Sequence, residues 1–228
     1  ENEFGWWKIE GGKVNFDYYG VAENECGWWK VEGGKVNFDY YGVADNEFGW
    51  WRIEGGKVNF DYYGIAENEY GWWKIEGGKV NFDYTGLADS DNGRMYVSNG
   101  GVDFGYTNVI QDGDVWVYVE NGKVRYDYTG IRENANGWWK IESGIVNFKF
   151  TGIASNENGE FYIKDGKVDF DYSGTINQSD CIYTVKSGWV VSKEGISGII
   201  KGVDVSHHNN DNGEGVLNWA EVANAGYK

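Results

Sequence analysis

A fixed spacing of 22 residues organises most of this chain and constrains its fold more than any other feature. The aligned positions have no insertion or deletion between them; they are Gly5, Gly27, Gly49, Gly71, Gly93, Val115, Gly137, Gly159 and Cys181. The first of these nine units reads GWWKIEGGKVNFDYYGVAENEC. Such strict spacing means that each unit forms the same structure and stacks on its neighbour in the same way.

Each unit carries a two-residue turn signal at the same place. The pair is Gly11-Gly12 in the first unit, and Asn99-Gly100 or Ser143-Gly144 in later units. These pairs suit the type I′ turn, in which both central residues need a positive φ angle. The sequence therefore predicts one β-hairpin per unit. Because proline cannot sit in paired strands without removing a hydrogen-bond donor, this also explains 36 glycines and no proline.

The turn also fixes the register of the hairpin. It places Ile9 opposite Val14 and, further from the turn, Trp7 opposite Phe16, with Tyr18 on the same face. We expect each hairpin to bury this face against the next, because an isolated hairpin is marginal in water. Residues 20–26 are interpreted as a connector that turns the chain to the next hairpin. The prediction is an all-β solenoid of nine stacked hairpins over residues 1–195.

Composition excludes several classes of partner. The formal net charge of −16 repels nucleic acid and anionic membrane surfaces. An aromatic content of 18% is too apolar for a disordered chain, and no run of apolar residues is long enough to predict a membrane span. The opening residues ENEFGWWKIE predict no signal peptide in the chain as given.

The sequence predicts no metal site and no cofactor. Cys26 and Cys181 do not lie in a metal-ligand spacing, so neither a disulfide framework nor a zinc site is expected. Acid pairs such as Glu23 and Glu25 recur in the connectors without a full calcium-loop pattern. We interpret them as solubilising charges, with calcium binding as the alternative.

A different pattern follows the repeats, after about residue 195. It consists of Gly202-Val203-Asp204-Val205-Ser206, then His208-Asn209, then Asn218-Trp219. This stretch resembles the opening of a glycoside hydrolase family 25 lysozyme, a (β/α) barrel muramidase. The resemblance implies that residues 196–228 hold a linker and the truncated start of such a domain. It also implies that Asp204 is the active-site aspartate at the end of the first barrel strand; an ordinary strand-end acid is the alternative.

The resemblance implies an incomplete enzyme. Glycoside cleavage normally needs two carboxylates at a defined separation, and the family's other acids lie beyond this sequence. One strand and one helix cannot close a barrel of eight strands. We therefore expect this chain to be catalytically inactive and the parent protein to be a muramidase.

The repeat array has a resemblance of its own. Its units read G-W-W-K-[IV]-E-G-G-K-V-N-F-D-Y, with paired aromatics after a glycine. In unit length and architecture they resemble the choline-binding and glucan-binding hairpin repeats of Gram-positive surface proteins, which often accompany lysozymes or amidases. The sequence of the unit departs from the choline-binding motif itself. The resemblance implies a secreted or cell-surface location and a cell-wall partner, while the bound group is left open.

The first Trp of each pair is the residue that core packing leaves unexplained. It lies on the face opposite the predicted core, where an exposed indole can stack on a sugar ring or hold a quaternary ammonium. The candidate ligand-binding residues are Trp6, Trp28, Trp50, Trp72, Trp116 and Trp138, with Tyr19, Tyr41 and Tyr63 on the same face. The alternative is that these Trp form a second packing layer between hairpins.

Taken together, the sequence predicts a module that binds cell-wall glycan or peptidoglycan and delivers an attached muramidase. Several weak sites on one array raise avidity by about 10²–10⁴. The alternative is a structural stalk or adhesin that contacts proteins or host glycans. Residues 1–4 align with connector residues 23–26, so we expect an uncapped first repeat that offers a surface for self-association.

Overall fold

The structure, a computed structural model, describes residues 3–196. Within that range the regular secondary structure consists of β-strands, and the strand pairs are antiparallel. The all-β prediction is therefore confirmed. Asp204 and the strand and helix predicted after the repeats lie outside the described residues. The described residues fall into two compact units. The first unit runs to Phe150 and includes Asp165–Val168; the second comprises Thr151–Lys164 and continues from Asp169.

Each repeat of the first unit contains three kinds of strand. The connector strands are Gly20–Asn24, Gly42–Asn46, Gly64–Asn68, Gly86–Ser90, Asn108–Asp112 and Gly130–Asn134. The long strands are Gly27–Glu32, Gly49–Glu54, Gly71–Glu76, Gly93–Ser98, Val115–Glu120 and Gly137–Glu142. The short strands are Lys13–Val14, Lys35–Val36, Lys57–Val58, Lys79–Val80, Gly101–Val102, Lys123–Val124, Ile145–Val146 and Lys167–Val168; Ile9–Glu10 pairs with Lys13–Val14.

The predicted turn joins each long strand to its short strand. Gly33 and Gly34 have φ angles of 56° and 78°, and Asn99 and Gly100 have 50° and 79°, as the type I′ turn requires. The predicted pairing next to the turn is also confirmed, since Ile9 lies opposite Val14. Two-residue turns that demand positive φ explain the Gly, Asn and Ser found there.

The hairpin is shorter than the sequence predicts, and its aromatic is not core. The ladder ends after Val14, and the Asn15 side chain accepts a hydrogen bond from the Asp17 backbone N–H at 3.0 Å. This local turn competes with strand pairing and redirects the chain. Phe16 is therefore not opposite Trp7 in a ladder, and it is 63% exposed rather than buried. Its equivalents, such as Phe60, are likewise exposed.

The interpretation of residues 20–26 as a plain connector is wrong. Residues Gly20–Asn24 form a strand that pairs with the following long strand, with Ala22 opposite Trp29. Val21 in this strand is 2% exposed, because it packs in a cluster with Trp51 and Ile53 of a later long strand. The repeat is therefore three-stranded, and its connector belongs to the core.

Successive repeats of the first unit are joined by backbone contacts. The long strand of one repeat meets the short strand of the next, as where Trp29 lies opposite Lys57. The turn also docks on the preceding repeat, because the Lys30 N–H donates to the carbonyl of Gly56 at 2.7 Å. Equivalent pairings connect Trp7 with Lys35 and Trp139 with Lys167. The result is an open, solenoid-like sheet in which each repeat pairs with its neighbours.

The core of the first unit is divided into small clusters that each draw on consecutive repeats. One cluster joins Val21, Ala44 and Val58 around Ile53, which is fully buried, with Trp28 packed against it. The predicted Ile and Val positions are therefore core, as expected. Because each cluster needs three repeats, the array stabilises itself only by stacking.

The second unit repeats the same strand pattern. Its strands are Gly152–Asn156, Gly159–Lys164, Gly174–Gln178, Cys181–Lys186 and Trp189–Gly195. The last strand pairs with Cys181–Lys186 over a longer stretch than the short strands do, with a bulge between Thr184 and Val185. Ile153, Tyr162, Tyr183 and Val185 form the buried cluster of this unit.

Candidate functional site

The first Trp of each pair lies between repeats. Trp28 contacts the second Trp and the Phe of the next repeat: its ring centre is 4.8 Å from that of Trp51 and 5.8 Å from that of Phe60. We call such a set of three rings an aromatic triad. Four triads lie in the first unit: Trp6/Trp29/Phe38, Trp28/Trp51/Phe60, Trp50/Trp73/Phe82 and Trp116/Trp139/Phe148.

The three rings of a triad face different directions. In Trp28/Trp51/Phe60 the interplanar angles are 70°, 78° and 71°, so each ring is nearly perpendicular to the other two. Trp28 is half-buried, and Phe60 is 46% exposed at the outer edge. Nearly perpendicular, electron-rich rings of this kind can serve as the walls of a cation–π site.

The second Trp is held in place by polar groups. The Trp51 indole N–H donates to the Asn46 Oδ1 at 2.9 Å, and the ammonium of Lys79 lies 5.2 Å from the centre of the indole ring. Asn46 comes from the connector strand and Lys79 from the next repeat, so both neighbours of the ring are fixed by the repeat register. This wall of the triad is therefore pre-organised rather than mobile.

The fifth and sixth repeats interrupt the row of triads. Arg94 replaces the first Trp, and Met95 and Val117 replace the second. The ring centres of Trp72 and Phe104 therefore lie 5.6 Å apart, with Met95 in place of the second Trp. Tyr126 belongs to no complete triad, because both Trp positions that would accompany it hold other residues. The remaining candidate, Trp138, is half-buried.

Tyr19, Tyr41 and Tyr63 are about 70% exposed, and each lies against the turn of the next repeat. The Tyr19 hydroxyl oxygen is 3.4 Å from the place where a Cβ of Gly33 would stand. Later repeats have a hydroxyl of a shorter side chain here: Thr85 Oγ1 accepts from the Asn99 backbone N–H at 3.1 Å. These Tyr therefore support the turn, and the structure does not place them in the triads.

A second row of tyrosines is tied to the backbone. The Tyr40 hydroxyl donates to the Val43 carbonyl at 3.1 Å, and the Lys30 ammonium lies 5.2 Å from the centre of its ring. Burial, and then the nearby carboxylate of Glu32, raises the pKa of Tyr40 above its ordinary value. Burial likewise raises the pKa of Tyr18 and of Tyr62, so these hydroxyls remain donors to a higher pH than a free tyrosine would.

Sequence reasoning selected the first Trp but missed the second Trp and the Phe as partners. The predicted hairpin register places the second Trp and the Phe on the core face, so it does not predict their contact with the first Trp of the preceding repeat. One signal was available: an aromatic residue recurs at the Phe16 position through Phe170, in a segment where the Asn side chain ends the strand.

Within residues 3–196, no three His, Cys, Asp or Glu side chains converge to hold a metal ion. No helix in that range is long and apolar enough to cross a membrane.

A family described as "Choline-binding repeat" matches residues 39–59, 61–81, 83–103, 105–125, 127–147 and 149–169, together more than half of the chain. The first matched segment contains a connector strand, a long strand and a short strand, so the family unit coincides with the three-stranded repeat. No curated protein matches the chain.

Proposed function

The chain belongs to the choline-binding repeat family, and from this membership we propose that its aromatic triads hold the trimethylammonium group of choline on a cell-wall polymer. Choline-binding repeats are typical of bacterial cell-surface proteins and mark a cell-wall-binding module. The specific proposal is the site: one choline at each complete triad. The predicted wall partner then becomes a choline-bearing polymer of the wall.

The observation that carries the proposal is the perpendicular arrangement of the three rings. A quaternary ammonium has no N–H to donate, so it is recognised by ring faces rather than by hydrogen bonds. Trp28, Trp51 and Phe60 supply three such faces, with angles of 70° to 78° between them. Nearly the same angles recur at 22-residue spacing in the triads of Trp6 and Trp50, which suits a polymer that presents choline repeatedly.

Retention on an immobilised choline resin tests the proposal. We expect the protein to bind and to elute with free choline. The variant Phe38→Ala/Phe60→Ala/Phe82→Ala removes the exposed wall of three triads, and it should lose most retention. Phe16→Ala/Tyr126→Ala removes two aromatics that are 63% and 51% exposed and lie in no complete triad, so it serves as the control.

Full retention by the triple Phe variant would contradict the triad site, provided that both variants keep the thermal unfolding midpoint of the parent. Loss of retention in the control as well would show that any exposed aromatic suffices. Because the mutated Phe side chains are 43–46% exposed, their removal leaves the buried clusters intact. The assay therefore separates binding from folding.

We propose further that the array comprises nine repeats over residues 1–195 and that residues 196–228 begin a muramidase domain of glycoside hydrolase family 25. In this proposal the array delivers the enzyme to the wall of a Gram-positive bacterium, and Asp204 belongs to the enzyme's active site. The chain itself is inactive. Muramidase activity from these 228 residues alone would contradict the last point.

A structural role is the second candidate, and the ring contacts between repeats favour it. Trp28 packs against a buried cluster as well as against Phe60, so the triads also hold repeats together. A stalk or adhesin would bind choline resin no better than a control protein of equal charge. Self-association through the first repeat, which carries Ile9, is a further proposal that applies to either candidate. Sedimentation analysis of the parent and of Ile9→Lys tests it.

A further inference from the structure

A polar groove recurs beside the triads in the first unit. The first groove has a volume of about 720 Å³ and is lined by Tyr18, Trp28 and Asp45, among others. The second has about 410 Å³, and Tyr40 and Trp50 hold the corresponding places. A third groove of about 200 Å³ is lined by the next members of the series, Tyr62 and Trp72. The groove is thus a property of the repeat, and the volumes of the first two copies lie in the range of small-molecule sites.

The groove carries surplus negative charge next to an indole. Its one cation in the first copy, Lys8, is already held by Glu10 at 3.5 Å and by the Tyr18 ring at 5.1 Å. Glu23, Asp45 and Glu47 also line this copy, and no cation of the described residues lies within ion-pair distance of them. The groove therefore favours a ligand that brings both a positive charge and an apolar face.

In the fifth repeat the chain places a cation of its own at the position of the groove's Trp. Arg94 stands at the position of Trp28 and reaches Asp112 at 2.8 Å and Asp89 at 3.5 Å. Asp89 is the counterpart of Glu23, and Asp112 is the counterpart of Asn46. A hydrogen-bond-donating cation of the chain itself thus pairs with the connector acid at the Glu23 position, and with a second acid at the Asn46 position, in a repeat that has lost its first Trp.

We propose that the grooves of the first repeats bind a primary ammonium carried on a sugar ring, an amino sugar of the wall glycan with its amine unacetylated. The ammonium donates to the carboxylates of Asp45 and Glu47, and the sugar face stacks on Trp28. A primary ammonium needs acceptors, whereas the quaternary ammonium of choline needs only ring faces. Groove and triad therefore select different chemical groups of one polymer. That this polymer belongs to the cell wall rests on the proposed wall-binding role; the preference of the groove for a primary ammonium does not.

Titration of the full chain with D-glucosamine, observed through the NMR signals of Trp28 and Trp50, tests the proposal. Asp45 lines two grooves, so Asp45→Asn should weaken glucosamine binding about fivefold, as expected for loss of partly exposed ion pairs. Asp61→Asn removes the same charge outside the three grooves and should change nothing. Choline-resin retention should be the same in both variants.

Two controls identify the ligand. N-acetylglucosamine lacks the charged amine and should not shift the indole signals, and D-alanine methyl ester carries a primary ammonium without a sugar. Equal binding of N-acetylglucosamine, or unchanged glucosamine binding by Asp45→Asn, would overturn the proposal. Equal binding of the alanine ester would overturn the amino-sugar assignment. Because Phe60→Ala should abolish choline binding at its triad and leave glucosamine binding intact, failure of one site is distinguishable from failure of the other.

Discussion

The ammonium of Lys57 lies 5.2 Å from the centre of the Trp29 ring, which belongs to the preceding repeat. To reach it, the Lys57 side chain passes over Gly27, where a Cβ would stand 2.6 Å from the Lys57 Cε. Gly27 also has a φ angle of +132°, which side chains rarely adopt. The contact between repeats therefore needs both residues: the glycine before the Trp pair leaves room for the lysine side chain, and the lysine after the turn supplies the cation.

The variant Lys57→Met tests the strength of this contact. It keeps the aliphatic contact with Trp29 and removes the cation, so the free energy of unfolding should fall by about 0.5–1 kcal/mol. Lys123 is the matched control, since it occupies the same turn position opposite Met95 instead of a Trp. Chemical denaturation should show a smaller loss for Lys123→Met; equal losses would argue against a cation–π contribution.

The second turn glycine is predicted to be the least replaceable residue of the repeat. A Cβ on Gly100 would lie 2.6 Å from the Asn81 carbonyl oxygen, and its φ angle is +79°. Gly100→Ala should therefore lower the free energy of unfolding by at least about 2 kcal/mol. Asn99→Gly, one residue earlier in the same turn, should be tolerated, because glycine occupies that position in the first four repeats. A Gly100→Ala variant as stable as Asn99→Gly would contradict the close docking of repeats.

The contrast between Val14 and Phe16 shows how far the sequence predicts the fold. Repetition and turn chemistry predict the hairpin and the register next to the turn, because both depend on neighbours in the chain. The prediction fails two residues later, where the Asn15 side chain bonds the Asp17 backbone and ends the ladder. That Asn-x-Asp pattern is a local signal for an Asx turn and was available in the sequence.

The candidate site was less predictable than the fold. Local pattern identifies Trp28 as unusual, but its partners Trp51 and Phe60 lie in the next repeat. Which side chains meet depends on the pairing of Trp29 with Lys57, and this pairing joins residues 28 positions apart. Nothing within one repeat specifies that offset, so the triad emerges only from the stacked structure.

Thr107 offers a test of how the turns are supported where the exposed Tyr is absent. Its Oγ1 accepts from the Asn121 backbone N–H at 3.1 Å. Thr107→Val should lower the free energy of unfolding by about 0.5–1.5 kcal/mol because the N–H loses its acceptor. Thr107→Ser keeps the hydroxyl and should cost less. If thermal unfolding gave the two variants the same midpoint, the hydrogen bond would not be the stabilising element.

Alkaline pH should weaken the array through its row of half-buried tyrosines. Burial and nearby carboxylates raise the pKa of Tyr40 above 10.0, so the fold favours the neutral phenol. The stability that this contributes is full below pH 10.0 and is lost as the pH rises through the raised pKa. Denaturation midpoints measured between neutral pH and strongly alkaline pH should fall. Because Phe cannot ionise, the denaturation midpoint of Tyr40→Phe should fall less steeply with pH than that of the parent. Equal declines in the two proteins would show that ionisation of Tyr40 does not cause the loss.

A crystal structure of the array with choline would show directly whether the triads hold the trimethylammonium group. We expect a quaternary nitrogen within about 6 Å of the ring centres of Trp28, Trp51 and Phe60, and the same ligand at the other complete triads. The site around Arg94, Val117 and Tyr126 should remain without choline, since it has only one of the three rings. Choline bound away from the triads, or equally at this incomplete site, would show that the complete triads are not the choline sites.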